Sequence, residues 1–254
     1  MRMLRVPGDL WVPDRAMPFL ARLPLELSDD DGMYHGNDRH YLKCGASALH
    51  VILEILSIAG APFPGAVLDF GAGAGRVTRW LRAGFPQADL HACELREQDV
   101  VFNATVLGVR SWQTGTELSK LQAPGRYDVI WAGSVATHLP AGQAELLLDT
   151  LVSWTNPDGI VVLSLHGRYA RARQLRAGYR YIHDDAWTTI EAGYEATGYG
   201  YADYPSQSGY GIAVTRLSWI SALVERRPGI RLVCLAETAW DDHHDIVAVQ
   251  NRAI

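Results

Sequence analysis

At 254 residues the chain is long for one ordinary domain and short for two, and with 48% hydrophobic and 20% charged residues it has the apolar material for a sizeable core, which excludes disorder along its length. Lys+Arg total 23 against Asp+Glu 28, a formal net charge of -5, so the basic excess typical of a nucleic-acid binder is missing and no nucleic-acid partner is expected. Cys44, Cys93 and Cys234 are widely spaced with no Cys-x-x-Cys pair, which argues against a disulfide framework or a cysteine zinc site and fits a reducing cytoplasm.

Residues 1 to about 40 hold Pro7, Pro13, Pro18, Pro24 and the acidic run Asp29 to Asp31, and read as an irregular arm. Pro7, Gly8 and Asp9 arrive before any apolar run, so no secretory signal is expected. No stretch approaches the ~20 apolar residues of a membrane span. From Gly45 to Gly60, Leu49, Ile52, Leu53 and Leu56 repeat at i, i+3, i+4 and i+7, which predicts a packed helix with Gly60 as its cap. The division that follows is an N-terminal arm and covering helix over 1–60 and a main domain over 61–254.

The main domain opens with a predicted strand at 66–70 that runs into Gly71-Ala72-Gly73-Ala74-Gly75 and a helix bearing Val77, Trp80 and Leu81. Further strands are expected at 89–93, ending in Glu94, near 108–111, and at 127–133. A helix follows around 145–154, then a turn at 156–159 and a continuous apolar strand at 160–165. After His166 the regularity lapses until about Thr215, an insertion (about 167–215) with eight of the eleven tyrosines: Tyr169, Tyr179, Tyr181, Tyr194, Tyr199, Tyr201, Tyr204 and Tyr210. A helix at 218–226 precedes two strands, 231–236 and 245–250, whose short link favours an antiparallel hairpin at a sheet edge. Strands alternating with helices at this spacing give an α/β fold with a largely parallel sheet covered on both faces.

Strand, glycine turn and helix together make a concave backbone surface at a helix N-terminus, where a nucleotide-like ligand fits. The dinucleotide register G-x-G-x-x-G fails, because Arg76 occupies the third place. Instead Asp69 precedes the loop and Glu94 lies 94 − 75 = 19 residues past its last glycine, at a strand end where a carboxylate can accept both hydroxyls of a ribose. Residues 67–76, Val-Leu-Asp-Phe-Gly-Ala-Gly-Ala-Gly-Arg, resemble motif I of the class I S-adenosylmethionine-dependent methyltransferases. The resemblance continues through Glu94, the segment 127–139 and the turn 156–160, where one glycine of the family's Pro-Gly-Gly is replaced. It implies a Rossmann-like, doubly wound seven-stranded sheet with an antiparallel last strand. It also implies S-adenosylmethionine as cofactor: Gly71, Ala72 and Gly73 backing methionine and ribose, Asp69 holding loop and amino group, Glu94 and Leu95 at the ribose, Gly133 and Ser134 at the methionine end, and Ser111 and Trp112 near the adenine. The arm around Tyr34, His35, His40 and Tyr41 resembles the family's mobile N-terminal cover. Independently of the name, a sulfonium cation without phosphate suits a site with two carboxylates better than a pyrophosphate does.

Methyl transfer to a hydroxyl needs a base, and His138 after the fourth strand and His166 at the end of the fifth are the candidates, with His138 favoured. The run Trp240-Asp241-Asp242-His243-His244-Asp245 offers metal-ligand atoms, but it links two strands and consecutive positions cannot all converge on one ion, so no metal site is expected. The tyrosines supply flat faces with polar tips, in a lid or in a small packed insertion. The sequence lacks the Asn/Asp-Pro-Pro-Tyr/Phe segment of DNA amino methylation, the Pro-Cys nucleophile of cytosine C5 chemistry and the paired-glutamate loop of arginine methylation. A small-molecule or glycan acceptor remains, and likeness of 134–139, 163–167, 208–212 and 240–245 to bacterial methyltransferases of glycoconjugate synthesis implies a sugar hydroxyl. N- or C-methylation of a natural product, a nicotinamide oxidoreductase (opposed by Arg76) and a non-catalytic cofactor binder are the alternatives, and a homodimer is compatible with all of them.

Overall fold

The computed structural model describes residues 1–176 and 180–252, so Tyr179 lies outside the described residues. The chain divides into two compact units, Met1–Trp131 and Ala132–Ile254. Its main sheet has seven strands in the order β10-β11-β7-β6-β3-β4-β5, as the resemblance implies, with ranges given below.

In the first unit the arm is partly ordered: β1 (Arg2–Met3) pairs antiparallel with β2 (Glu26–Leu27), and a 3-10 turn occupies Met17–Arg22. Helix α1 (Asp38–Ala59) starts seven residues before the expected Gly45, because Asn37 caps it, its Oδ1 accepting from the His40 N–H at 3.1 Å. Its 22 residues are, by length and composition alone, enough to cross a membrane, which corrects the expectation that no stretch is. The apolar side chains concerned, Leu49, Ile52 and Ile55 among them, are buried inside the protein. Gly45 lets α1 approach α2 (Thr78–Gly84): a Cβ there would lie 2.3 Å from the Trp80 ring and 2.4 Å from the Arg76 carbonyl oxygen.

Strands β3 (Ala66–Phe70), β4 (Asp89–Glu94), β5 (Arg110–Gln113) and β6 (Tyr127–Ala132) are parallel, with helix α3 (Glu97–Thr105) between β4 and β5. The chain steps outward from β3 to β4 to β5 and then returns to the other side of β3 at β6. The order therefore reverses beside β3, and the crevice for a ligand opens at its carboxyl end.

In the second unit a 3-10 turn (Ala136–His138) leads into α4 (Ala141–Ser153), which starts four residues before the expected 145, and then into β7 (Thr155–Leu165). The turn expected at 156–159 is absorbed into that strand as an irregular lead-in, with Asp158 at φ +61°. Pairing with β11 (His244–Asn251) begins only at Ile160. Strand β11 is antiparallel to β7 and to the edge strand β10 (Ile230–Trp240), as expected, and α7 is Leu217–Glu225. The irregular reading of the insertion is corrected: it forms α5 (Arg168–Leu175), α6 (Asp184–Thr197) and an antiparallel hairpin of β8 (Tyr199–Tyr204) with β9 (Gln207–Thr215). Ile182, Trp187, Ile190, Tyr194, Ile212 and Val214 give it a core of its own.

One buried cation ties the arm to the rest of its unit. Arg79 of α2 is fully buried; its Nη1 donates to the carbonyl oxygens of Pro24 and Glu26 (2.7 and 2.8 Å), its Nε to that of Gly75 (3.1 Å), and its Nη2 lies 3.4 Å from the Tyr41 hydroxyl, which donates to Asp31 at 2.6 Å. The resemblance implied a mobile cover, but these bonds hold this part of the arm in place. Arg79→Met leaves those carbonyls buried without donors and is expected to cost about 3 kcal/mol. The check is urea unfolding, with a lower midpoint at an unchanged slope.

Candidate functional site

The loop after β3 is shaped by what only glycine does cheaply. Gly71, Gly73 and Gly75 have φ of +73°, +53° and +81°, a region that costs other residues about 1–2 kcal/mol each. The N–H groups of Gly71 and Ala72 donate to the Cys93 carbonyl oxygen at 3.0 and 3.1 Å, laying the loop across the end of β4. The Gly73 N–H donates to Glu94 Oε2 at 2.9 Å, and the Gly73 carbonyl accepts from Asn103 Nδ2 at 2.7 Å. A Cβ added to Gly73 would meet nothing within 4 Å, so on that side the loop presents bare main chain to open space.

Glu94 is half-buried and does more than end a strand. Oε1 accepts from the Leu95 N–H at 2.7 Å and Oε2 from Gly73, which leaves each carboxylate oxygen one acceptor site for a ribose hydroxyl. Leu95 beside it is 46% exposed, an apolar side chain at the mouth of the loop. Asp69 is buried, and its Oδ2 accepts from Thr78 Oγ1 at 2.6 Å, tying the strand to the first residue of α2 beneath the loop. Burial pushes the Asp69 carboxyl up to about 7, against the Thr78 bond and with the help of Glu94's charge. Ser111 stands opposite Ala92, its hydroxyl 3.4 Å from the Val109 carbonyl oxygen. Trp112 stands opposite Cys93 and packs edge-on against His91, which by the strand's alternation is the other face of the sheet from Glu94.

Sequence reasoning missed Asn103, Thr78 and Arg79. The signal for Asn103 was a poor helix former in mid-helix; fully buried, its amide also donates to the Asp99 carbonyl at 2.8 Å.

In the second unit, Ser134 is non-glycine at φ +59°, held by donating its N–H to Ser164 Oγ at 2.6 Å, and Gly133 precedes it directly after β6. His138 sits on the 3-10 turn, its Nδ1 2.8 Å from the Gly211 carbonyl oxygen, its ring stacked on Tyr210 (centroids 4.9 Å) and tilted against Tyr204 (6.0 Å). Burial lowers its pKa, opposed by that bond. His166 is more deeply enclosed, 3% exposed between Tyr181 (4.7 Å) and His244 (4.9 Å), and burial pushes it down to about 3.

Residues 68–161 match a family model described as a methyltransferase domain. A search of curated proteins finds no match. Among solved structures the chain is similar to an S-adenosylmethionine-dependent methyltransferase from Clostridium acetobutylicum (11% identity, TM-score 0.58, 82% of this chain and 92% of that one). It is also similar to the amino pentose methyltransferase CalS10 from Micromonospora echinaspora (12%, 0.54, 83% and 91%) and the N-methyltransferase NodS from Bradyrhizobium japonicum with S-adenosyl-L-homocysteine (15%, 0.51, 94% and 100%). At these identities the likeness establishes the fold.

Glu94→Ala removes the carboxylate that fastens Gly73 and would accept the ribose hydroxyls. With about 1.5–3 kcal/mol for a bond to a charged group, calorimetry should find S-adenosylhomocysteine bound about 10- to 100-fold more weakly, and no binding of NAD⁺ by the parent chain. Asp69 holds its proton in the fold to about 7 and loses it near 3.8 when unfolded, so ionising it opposes folding as pH rises through that window. Relative to Asp69→Asn, the parent cofactor-free chain should therefore lose up to about 1.4 kcal/mol of unfolding free energy per pH unit between about pH 4 and 7, read from paired denaturation curves. A donor with a cationic sulfur, a ribose and no phosphate is what this loop and carboxylate accommodate, and residues 68–161, which match the methyltransferase-domain model, span both.

Proposed function

We propose that the chain methylates a hydroxyl oxygen of a sugar or another small acceptor, with His138 taking the hydroxyl proton. The observation that carries this reading is the 2.8 Å bond between His138 Nδ1 and the Gly211 carbonyl oxygen. A carbonyl only accepts, so the neutral ring keeps its proton on Nδ1 and its lone pair on Nε2. Burial holds the pKa of His138 below its ordinary 6.5, so the ring is in the proton-accepting form at neutral pH. S-adenosylmethionine, when bound, supplies a methyl group in an in-line displacement, in which its S–C bond breaks as the acceptor's O–C bond forms. His138 Nε2 receives the proton that the oxygen sheds as it is methylated.

His166 is the weaker candidate for that task. With its pKa pushed down to about 3, it is too weak a base to take a hydroxyl proton efficiently. A sugar acceptor is supported by the aromatic faces around His138: Tyr210, 45% exposed, is stacked on it, and Tyr204 lies 5.7 Å from Tyr210. Flat apolar rings with polar tips suit the C–H face and hydroxyl rim of a pyranose. The proteins of like fold act on acceptors of several kinds, so the acceptor reading rests on these residues.

The test offers methyl-labelled S-adenosylmethionine with a panel of free sugars, nucleotide-linked sugars, phenols and amines. Label is expected on a hydroxyl-bearing acceptor. His138→Asn should lower kcat by about 10²–10⁴-fold while the affinity for S-adenosylhomocysteine stays unchanged. Label on amines alone, or a His138→Asn enzyme turning over at the parent rate, defeats the proposal.

A further inference from the structure

Three histidines outside the cofactor loop converge in the interior of the second unit. Along an extended strand, consecutive side chains point to opposite faces. At the β10–β11 turn, however, Asp241 and Asp242 are both left-handed (φ +50° and +58°), and the rings of His243 and His244 come to 4.0 Å centroid to centroid. His166 enters from the end of β7, stacked on His244 at 4.9 Å and 6.1 Å from His243. One ring nitrogen from each lies within 4.8 Å of the other two, and all three residues are buried.

Two of the three rings have the division of labour that ligation requires. His243 Nδ1 lies 2.6 Å from the Asp241 carbonyl oxygen, which fixes the proton there and leaves the lone pair on Nε2. His166 Nδ1 is buried with no hydrogen-bond partner among the described residues, while a backbone hydrogen bond with Ala213 engages the ring. Metal-binding imidazoles typically give one N–H to a carbonyl or carboxylate and turn the other nitrogen to the ion. Asp245 adds a buried carboxylate nearby: its Oδ1 accepts from the Thr238 N–H at 3.0 Å, and its Oδ2 lies 1.7 Å from where a Cβ on Gly167, the neighbour of His166, would stand.

We propose that His166, His243 and His244 bind one divalent ion of the zinc class. Three imidazole nitrogens favour Zn²⁺, or Co²⁺ in its place, over Mg²⁺, which demands oxygen ligands. Zn–N bonds of about 2.0–2.1 Å set tetrahedral nitrogens about 3.4 Å apart, which small ring rotations reach from the present spacing. A set of three leaves the fourth position open to water or another oxygen. The site stands whatever the methyl acceptor proves to be.

Untagged full-length protein, stripped with a chelator and dialysed, is titrated with Co²⁺ and then with Zn²⁺ against a chromogenic chelator. One Co²⁺ per chain with the visible absorption of a tetrahedral nitrogen site is expected, displaced by one equivalent of Zn²⁺. His166→Asn should weaken Zn²⁺ binding at least 100-fold, and His35→Asn should leave it unchanged. No such absorption in the parent protein, or a His166→Asn chain that keeps the parent affinity, overturns the site. Should His166→Asn fail to fold by circular dichroism, His243→Gln and the parent cobalt spectrum decide in its place.

Discussion

Three left-handed glycines within five residues gain order only if neighbouring elements hold them, and here the holding comes from four directions. The Cys93 carbonyl, the Glu94 carboxylate, the Asn103 amide and the Arg79 guanidinium each bind main-chain atoms of 71–75. Glycine loses more conformational freedom on folding than any other residue, so a loop built of it would otherwise be the least ordered part of the unit. The partners convert that liability into a fixed main-chain surface whose open side is free of side chains.

Two of those partners have a second task, which couples the loop to parts of the protein remote in sequence. Arg79 spends its remaining donors on the carbonyls of Pro24 and Glu26, so the shape of the glycine loop and the seating of the N-terminal arm share one side chain. Glu94 spends half its acceptor capacity on Gly73 and Leu95, and a bound ribose would use the other half. The carboxylate that sets the loop is thus the one a bound ribose would meet, and pre-organisation of this kind lowers the ordering cost of binding.

How legible these features were in the sequence depended on their range. Asp69, the three glycines and Glu94 sit within one strand-loop-helix-strand stretch, where local spacing dictates structure; a largely parallel sheet followed from the alternation of elements, and its seven strands with an antiparallel last one from the resemblance. The start of α1 was hidden because its signal is one capping residue, Asn37, inside a proline-rich arm. The insertion was hidden because α6 buries Trp187 and Tyr194, types that read as surface decoration, in a core closed by Ile212 and Val214 from a later hairpin. The packing of Trp112 on His91 was hidden because its face of the sheet follows from register with β4, which spacing alone does not fix. The proposed metal set was the least legible. Consecutive side chains on a regular strand diverge, but the left-handed Asp241 and Asp242 bring His243 and His244 together, and the third ligand, His166, arrives from the end of a different strand.

His138 and His166 show how environment divides one residue type between tasks. Both lie in the second unit, and burial lowers both pKa values, but to different extents and with different partners. His138 has Nδ1 satisfied by a carbonyl that offsets part of the desolvation cost of protonation, and a partly exposed tyrosine along its ring. His166 is enclosed by Tyr181 and the two turn histidines, where protonation would bury a cation beside imidazoles and a bare lone pair is the stable form. A lone pair that cannot take a proton can still meet a metal ion, because coordination shares the ion's charge among several ligands. The exclusion of solvent that disqualifies His166 as a base is thus the condition that suits it to ligation.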